Sequence, residues 1–273
     1  MGRLDGRIAI VSGSGRGIGR ACAIKLAAEG ARVVVNDLDA APAADVVAAI
    51  RAGGGEAIAV PGSVTEDGFA ERFVAAAVDT WGGLDIIVNN AGFTWDSVIQ
   101  KMTDEQFDAV LDVHLKAPFR ILRAAAGVIR EAAKRDAAAG REVFRKVVNV
   151  SSISGTQGNA GQTNYSTAKA GITGMTRTLA REWGRYKVNV NAVAFGYIVT
   201  RMTQAVEGGP ATLDVGGRAI PAGIPAQQVR MMEAGIPLGR GGTAEEAADA
   251  IYLLCTPEAN YISGHVLMVT GGL

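Results

Sequence analysis

Short apolar runs that alternate with helix-length stretches narrow the fold of this chain more than any other feature. Residues Ile8–Val11, Arg32–Val35, 57–60, 86–88, 146–150, 188–193 and Val266–Val269 are rich in apolar residues, and Ile8–Val11, 57–60, 86–88 and Val266–Val269 are apolar throughout, not at every second position. A strand that is apolar on both faces must be buried on both faces, the condition of a parallel sheet covered by helices. Helical periodicity fills the gaps at 18–29, 42–51 and 66–80, the last with Phe69, Phe73, Val74 and Ala77 in its apolar set. Right-handed βαβ units assembled from these pieces predict an α/β fold. It is a single doubly wound domain over residues 1–273, with a seven-stranded parallel sheet flanked by helices on both faces.

Two segments interrupt the alternation. Residues 130–145 are charged and Ala-rich and are expected to extend a helix and add a surface loop. Residues 207–225 carry Gly208, Gly209, Pro210, Gly216, Gly217, Pro221, Gly223 and Pro225. That density predicts either a mobile lid, within a substrate-loop segment of about 203–236, or a tolerated surface insertion.

Charge is balanced at 27 basic and 27 acidic residues, so no overall field favours nucleic acid or an anionic membrane. The N-terminus lacks the basic and apolar regions of a signal peptide, and no apolar run reaches the ~18 residues of a membrane span. The expected location is the cytoplasm. Cys22 and Cys255 each lie in an apolar helical pattern and read as small hydrophobes in a reducing compartment. With His114 and His265 they form no metal-ligand spacing, so no metal is expected.

Ser12-Gly13-Ser14-Gly15-Arg16-Gly17-Ile18-Gly19 follows the first apolar run and opens the first helix. Glycines there permit a tight turn and close approach to a diphosphate, which gains from the helix N-terminus. Asp37 closes the second run 18 residues beyond Gly19, near the ~20 expected of an acid that accepts from ribose hydroxyls. Its carboxylate would repel a 2′-phosphate, and Leu38 follows it, so NAD is favoured as cofactor. Arg16 in the loop is the counter-signal that keeps NADP as the alternative.

Tyr165 and Lys169 stand at i,i+4 within the helical stretch 163–185 and so share a helix face. A nearby ammonium favours a phenolate, so Lys169 is expected to lower the Tyr165 pKa from its ordinary ~10 and fit it for proton transfer. Ser152, just past the run 147–150, is placed to hydrogen-bond a substrate oxygen. Taken alone, Tyr-x-x-x-Lys is a weak pattern, whose usual explanation is an amphipathic helix with a half-buried Tyr and a surface Lys.

The chain from Leu4 to Gly272 resembles the short-chain dehydrogenase/reductase family. The resemblance rests on the loop at 13–19, Asn89-Asn90-Ala91-Gly92, Ser152 thirteen residues before Tyr165-x-x-x-Lys169, Asn191-Ala192-Val193, Tyr261-Ile262-Ser263-Gly264 and Gly271-Gly272. It implies that Tyr165 is the catalytic acid/base, that Lys169 tunes it and binds the nicotinamide ribose, and that Ser152 polarises the carbonyl. Asn89, Ala91 and Gly92, with Ser63 and Val64, would line the adenosine side; Gly196, Ile198 and Thr200 would meet the nicotinamide, Thr200 at its carboxamide. It also implies a homotetramer or homodimer built from helices at 104–135 and 163–185 and from the C-terminal strand. Four positions depart from the family pattern: His114 replaces an Asn that supports a proton-relay water, Phe195 a Pro, Ser63 an Asp and Thr270 an Asp.

Residues 158–166 are similar to 3-oxoacyl-carrier-protein reductases, whereas 35–38 with 113–115 are similar to (3R)-hydroxyacyl-CoA dehydrogenases that use NAD. Either resemblance implies an acyl-CoA or acyl-carrier-protein substrate acted on at its 3-oxo/3-hydroxy position. Steroids or other secondary alcohols, and a non-catalytic dinucleotide-binding regulator, stay as alternatives.

Overall fold

The computed structural model describes residues 2–207 and 211–273. In chain order its elements are β1 (Ile8–Val11), α1 (Gly17–Ala28), β2 (Arg32–Val35), α2 (Ala40–Ala52), β3 (Ala57–Ala59), α3 (Phe69–Trp81), β4 (Ile86–Asn89), α4 (Asp104–Leu111), α5 (Ala117–Ala138), β5 (Arg145–Ser152), α6 (Ser154–Gln157) and α7 (Thr163–Trp183). There follow β6 (Val188–Phe195), β7 (Ala205–Val206), β8 (Ala211–Val215), β9 (Arg218–Ala222), β10 (Ile224–Pro225), α8 (Ala226–Gly235), α9 (Ala244–Cys255) and β11 (Val266–Val269).

All seven expected strands form one sheet in the order β3-β2-β1-β4-β5-β6-β11, with every pairing parallel. Alternate residues of one strand serve opposite helical layers, which is why runs such as Ile8–Val11 and Val266–Val269 are apolar without a break. Ala9, Val11 and Val33 meet Cys22 and Leu26 of α1, Val46 and Ile50 of α2 and Ile251 of α9 in one core. Ile10, Val34 and Ile87 meet Phe69 and Phe73 of α3 and Ile121 of α5 in the other. Strands β5 and β6 run longer than expected and end side by side, with Ser152 in register with Phe195. No described helix is long and apolar enough to cross a membrane.

Two local features differ from the sequence expectation. The helical region at 104–135 is broken by a π-helical turn at Asp112–Lys116 that carries His114. The Gly/Pro-rich segment is not an irregular loop over its described part: β8 and β9 pair as an antiparallel hairpin. Gly216 and Gly217 form its turn with φ of 63° and 81°, the left-handed pair that a type I′ turn requires and that glycine adopts without strain. Asp214 Oδ1 accepts from the Gly217 N–H at 2.8 Å, and Arg218 Nε donates to Glu105 Oε1 of α4 at 3.3 Å. Gly208, Gly209 and Pro210 of that expectation lie outside the described residues.

Candidate active site

Strand order reverses between β1 and β4, so their following loops part and leave a crevice at the carboxyl ends of the strands. A cleft of about 1110 Å³ fills it, with the glycine loop at one end and Ser152, Tyr165 and Lys169 at the other.

At the first end, Gly13 has φ +61°, and a Cβ on it would stand 2.6 Å from the Ala91 Cα, so the two loops touch only because glycine is there. Buried Asn36 holds this arrangement. Its Oδ1 accepts from Gly13 N at 3.0 Å, and its Nδ2 donates to Val60 O and Gly62 O, each at 3.0 Å. Ser12 Oγ accepts from Asn90 N and Ala91 N at 3.0 and 3.1 Å, and Asn90 Nδ2 donates to Ser12 O and Gly13 O. Helix α1 starts at Gly17, and the side chain of its N-cap, Arg16, does not cap it. The positive helix end formed by Gly17, Ile18 and Gly19 therefore faces the cleft free of a protein cap, which suits a diphosphate. Arg16 reaches sideways instead: Nη1 lies 2.8 Å from Asp37 Oδ1 and Nη2 lies 2.9 Å from Asp39 Oδ2. Ser63 and Val64 line the same end, where Ser63 Oγ and Thr65 Oγ1 are 2.8 Å apart.

At the second end, β5 delivers Ser152 and α7 delivers Tyr165 and Lys169. Ser152 Oγ accepts from Ser154 N at 3.2 Å. The start of α7 is fixed by Asn164, fully buried, whose Oδ1 accepts from Tyr165 N at 2.8 Å. Its Nδ2 donates to Trp95 O and Gln106 O at 3.1 and 3.0 Å. Lys169 Nζ donates to Val150 O at 2.7 Å and sits 5.5 Å from the centroid of the Tyr165 ring. Burial pushes the lysine down to about 7.

The expectation that Lys169 lowers the Tyr165 pKa is not met. Burial pushes the phenol up to about 12, with a hydrogen bond from Ser152 opposing the shift. The physical reason is that desolvation disfavours the phenolate and the Asp96 carboxylate adds to it; Lys169 is itself desolvated and donates to a backbone carbonyl.

His114 projects from the π-turn, its ring edge-on to Tyr165 with centroids 5.0 Å apart. Its Nε2 lies 2.7 Å from Phe93 O and 3.2 Å from Phe93 N, facing both a carbonyl and an N–H of the same residue. Nδ1 is buried with no hydrogen-bond partner among the described residues. Burial, then the Lys169 charge, hold the imidazole pKa well below its ordinary value, so the ring is neutral at pH 7.

Gly196, Ile198 and Thr200, from the loop after β6, complete the wall beside Ala91 and Gly92. Of the residues given a catalytic or cofactor-binding role from the sequence, all line this cleft except Asn89. That side chain sits within the sheet, where Nδ2 donates to Asn149 Oδ1 at 2.8 Å; its neighbour Asn90 faces the cleft instead. Asn36, Asn164 and Asp39 went unnoticed because no spacing rule marks an isolated Asn or a second acid after Asp37. Asp96 also borders the cleft and accepts from Gln162 Nε2 at 2.8 Å. Apolar walls from Phe93, Ile153, Tyr197, Met202, Met231 and Met232 lie near Ser152 and Tyr165 or on the hairpin side.

Residues 13–273 match the family model described as Enoyl-(Acyl carrier protein) reductase. The chain is 38% identical over 275 residues to a 3-oxoacyl-[acyl-carrier-protein] reductase of Synechocystis sp., covering 100% of this chain and 99% of that protein. It is 35% identical to a (3R)-3-hydroxyacyl-CoA dehydrogenase of Canis lupus familiaris, covering 99% and 97%. It is 40% identical to the hydroxyacyl-CoA dehydrogenase ChsB1 of Mycobacterium tuberculosis, covering 98% and 78%. Full-length matches of this kind, on a parallel sheet with its cleft at the strand-order reversal, make the chain a member of the short-chain dehydrogenase/reductase family, an oxidoreductase acting on CH–OH groups.

Proposed function

We propose that this protein, a single domain over residues 1–273, transfers a hydride between NAD(H) and the 3-position of a 3-hydroxyacyl or 3-oxoacyl thioester. The observation that carries this reading is one continuous cleft, with an uncapped helix N-terminus and Asp37 at one end and the Ser152 and Tyr165 hydroxyls at the other. The residues present fit a dinucleotide. The N–H groups of 17–19 would take its diphosphate and Asp37 its adenosine ribose, while Ser63, Val64, Ala91 and Gly92 flank the adenosine. Gly196, Ile198 and Thr200 would meet the carboxamide. When bound, the dinucleotide supplies hydride transfer.

The remaining work falls to the chain's own groups. Ser152 Oγ donates to the substrate oxygen, and Tyr165 Oη gives that oxygen a proton in reduction or takes it in oxidation. A phenol held near 12 stays protonated at neutral pH, ready to donate. Lys169 would meet the nicotinamide ribose beside Tyr165, and His114 Nδ1, buried without a hydrogen-bond partner among the described residues, would hold a relay water. The apolar walls, Met231 and Met232 among them, suit an acyl chain. Self-association into a dimer or tetramer is supported by exposed Leu253 on α9, Tyr261 and Ile262 in the segment between α9 and β11, and Met268 on the edge strand β11.

The test compares initial rates on acetoacetyl-CoA with NADH and NADPH. Faster NADH oxidation supports the reading. An NADPH preference would favour the second reading, a 3-oxoacyl-carrier-protein reductase, for which Arg16 at the cleft is the specific observation. Dinucleotide binding without turnover on this thioester or on other secondary alcohols would favour a non-catalytic regulator.

A further inference from the structure

Arg16 is the basic side chain of the glycine loop, and a free guanidinium there would attract a 2′-phosphate. It is not free. Asp37 takes Nη1 and Asp39 takes Nη2, at 2.8 and 2.9 Å, so both edges of the guanidinium face a carboxylate. The backbone N–H of Asp39 also donates to Asp37 Oδ1 at 3.1 Å, tying the two acids into one unit. The local sum is one positive charge against two negative.

Asp39 has a second telling feature. It occupies the N-cap of α2, where an aspartate ordinarily accepts from the first backbone N–H groups of its helix. Here its side chain makes no cap hydrogen bond and is turned to Arg16 instead. The Arg16–Asp39 pair is largely solvent-exposed, so it contributes little to stability, and a role in ligand selection accounts for it better.

We propose that Asp39 is a specificity-determining positioning residue: it clamps Arg16 against Asp37 and so withholds the guanidinium from a 2′-phosphate, excluding NADP. This rests on the dinucleotide-binding reading above. Asp37 excludes phosphate by its own charge; Asp39 acts through Arg16, and releasing the clamp turns Arg16 from a neutralised group into a phosphate ligand.

The test is a fluorescence titration of NADH and NADPH with wild-type protein, Asp39→Asn, Asp39→Glu, Arg16→Gln and the Asp39→Asn/Arg16→Gln double variant. Removing one charge near the phosphate and freeing another should raise the NADPH-to-NADH affinity ratio about tenfold in Asp39→Asn. The gain should vanish in the double variant, be absent in Asp39→Glu and shrink at high salt. A ratio unchanged in Asp39→Asn, or a gain that persists without Arg16, overturns the clamp while NADH binding by the wild type upholds the dinucleotide reading. Wild-type protein that prefers NADPH also overturns the clamp. Wild-type protein that binds neither dinucleotide overturns both.

Discussion

Replacing Asn36 with alanine strips its side-chain hydrogen bonds to Gly13, Val60 and Gly62 from the point where the glycine loop, β2 and the loop after β3 meet. Gly13 N–H loses its acceptor, and Val60 O and Gly62 O lose their shared donor. Val60 O is buried and would be left without a partner, a penalty of about 2 kcal/mol. The other two bonds are part-buried, so water can replace them at a cost of about 0.5 kcal/mol each. The expected loss is about 3 kcal/mol. At ~2.1 cal/mol/K per residue, the unfolding entropy of this 273-residue chain translates that into a fall in Tm of about 5 °C. The loop that the proposal gives to the diphosphate loosens at the same time, so the Kd for NADH should rise several-fold. Differential scanning calorimetry and an NADH fluorescence titration measure the two effects. A Tm within about 1 °C of wild type and an unchanged Kd would refute the idea that Asn36 sets the loop.

Other expectations are equally open to measurement. Asp136→Ala leaves buried Arg145 with only Asp85, 3.7 Å away, and should cost about 3 kcal/mol in chemical denaturation. Burial pushes the Asp136 carboxyl up, but hydrogen bonds from Arg145 and Arg141 outweigh it and the net pKa is lowered. The stability it contributes is therefore present above its unfolded pKa and lost as pH falls through the folded one; wild-type Tm should drop more steeply below pH 4 than that of the variant. Gly217→Val places a β-branched side chain at φ 81°, a strain of about 1–2 kcal/mol. It should open the β8–β9 hairpin and raise KM for the thioester; unchanged KM and protease resistance would count against a substrate role for the hairpin.

The sheet was legible because both its faces are covered: a run such as Ile8–Val11 has no polar side to confuse with a helix or surface strand. The glycine loop, Asp37, Ser152, Tyr165 and Lys169 were legible as family motifs in fixed order. What the sequence concealed depends on three-dimensional neighbours. The hairpin hid in its Gly and Pro content, although two runs joined by Gly216-Gly217 are a recognised hairpin signal. No local pattern marks the π-turn that carries His114, a kind of helix defect that recurs at functional sites. The upward shift of Tyr165 follows from burial and from the Asp96 charge. Spacing can place two side chains on one face but says nothing of how deeply they are buried or of a carboxylate from a distant segment.

The most direct test of the central claim, that Tyr165 moves the proton, is the single-turnover rate of NADH oxidation on acetoacetyl-CoA by wild-type protein and by Tyr165→Phe. Loss of a positioned general acid should slow the chemical step by about 10²–10⁴ while the variant still binds NADH. A Tyr165→Phe rate within a few-fold of wild type would contradict the account, because the proton would then have to come from another group in the cleft.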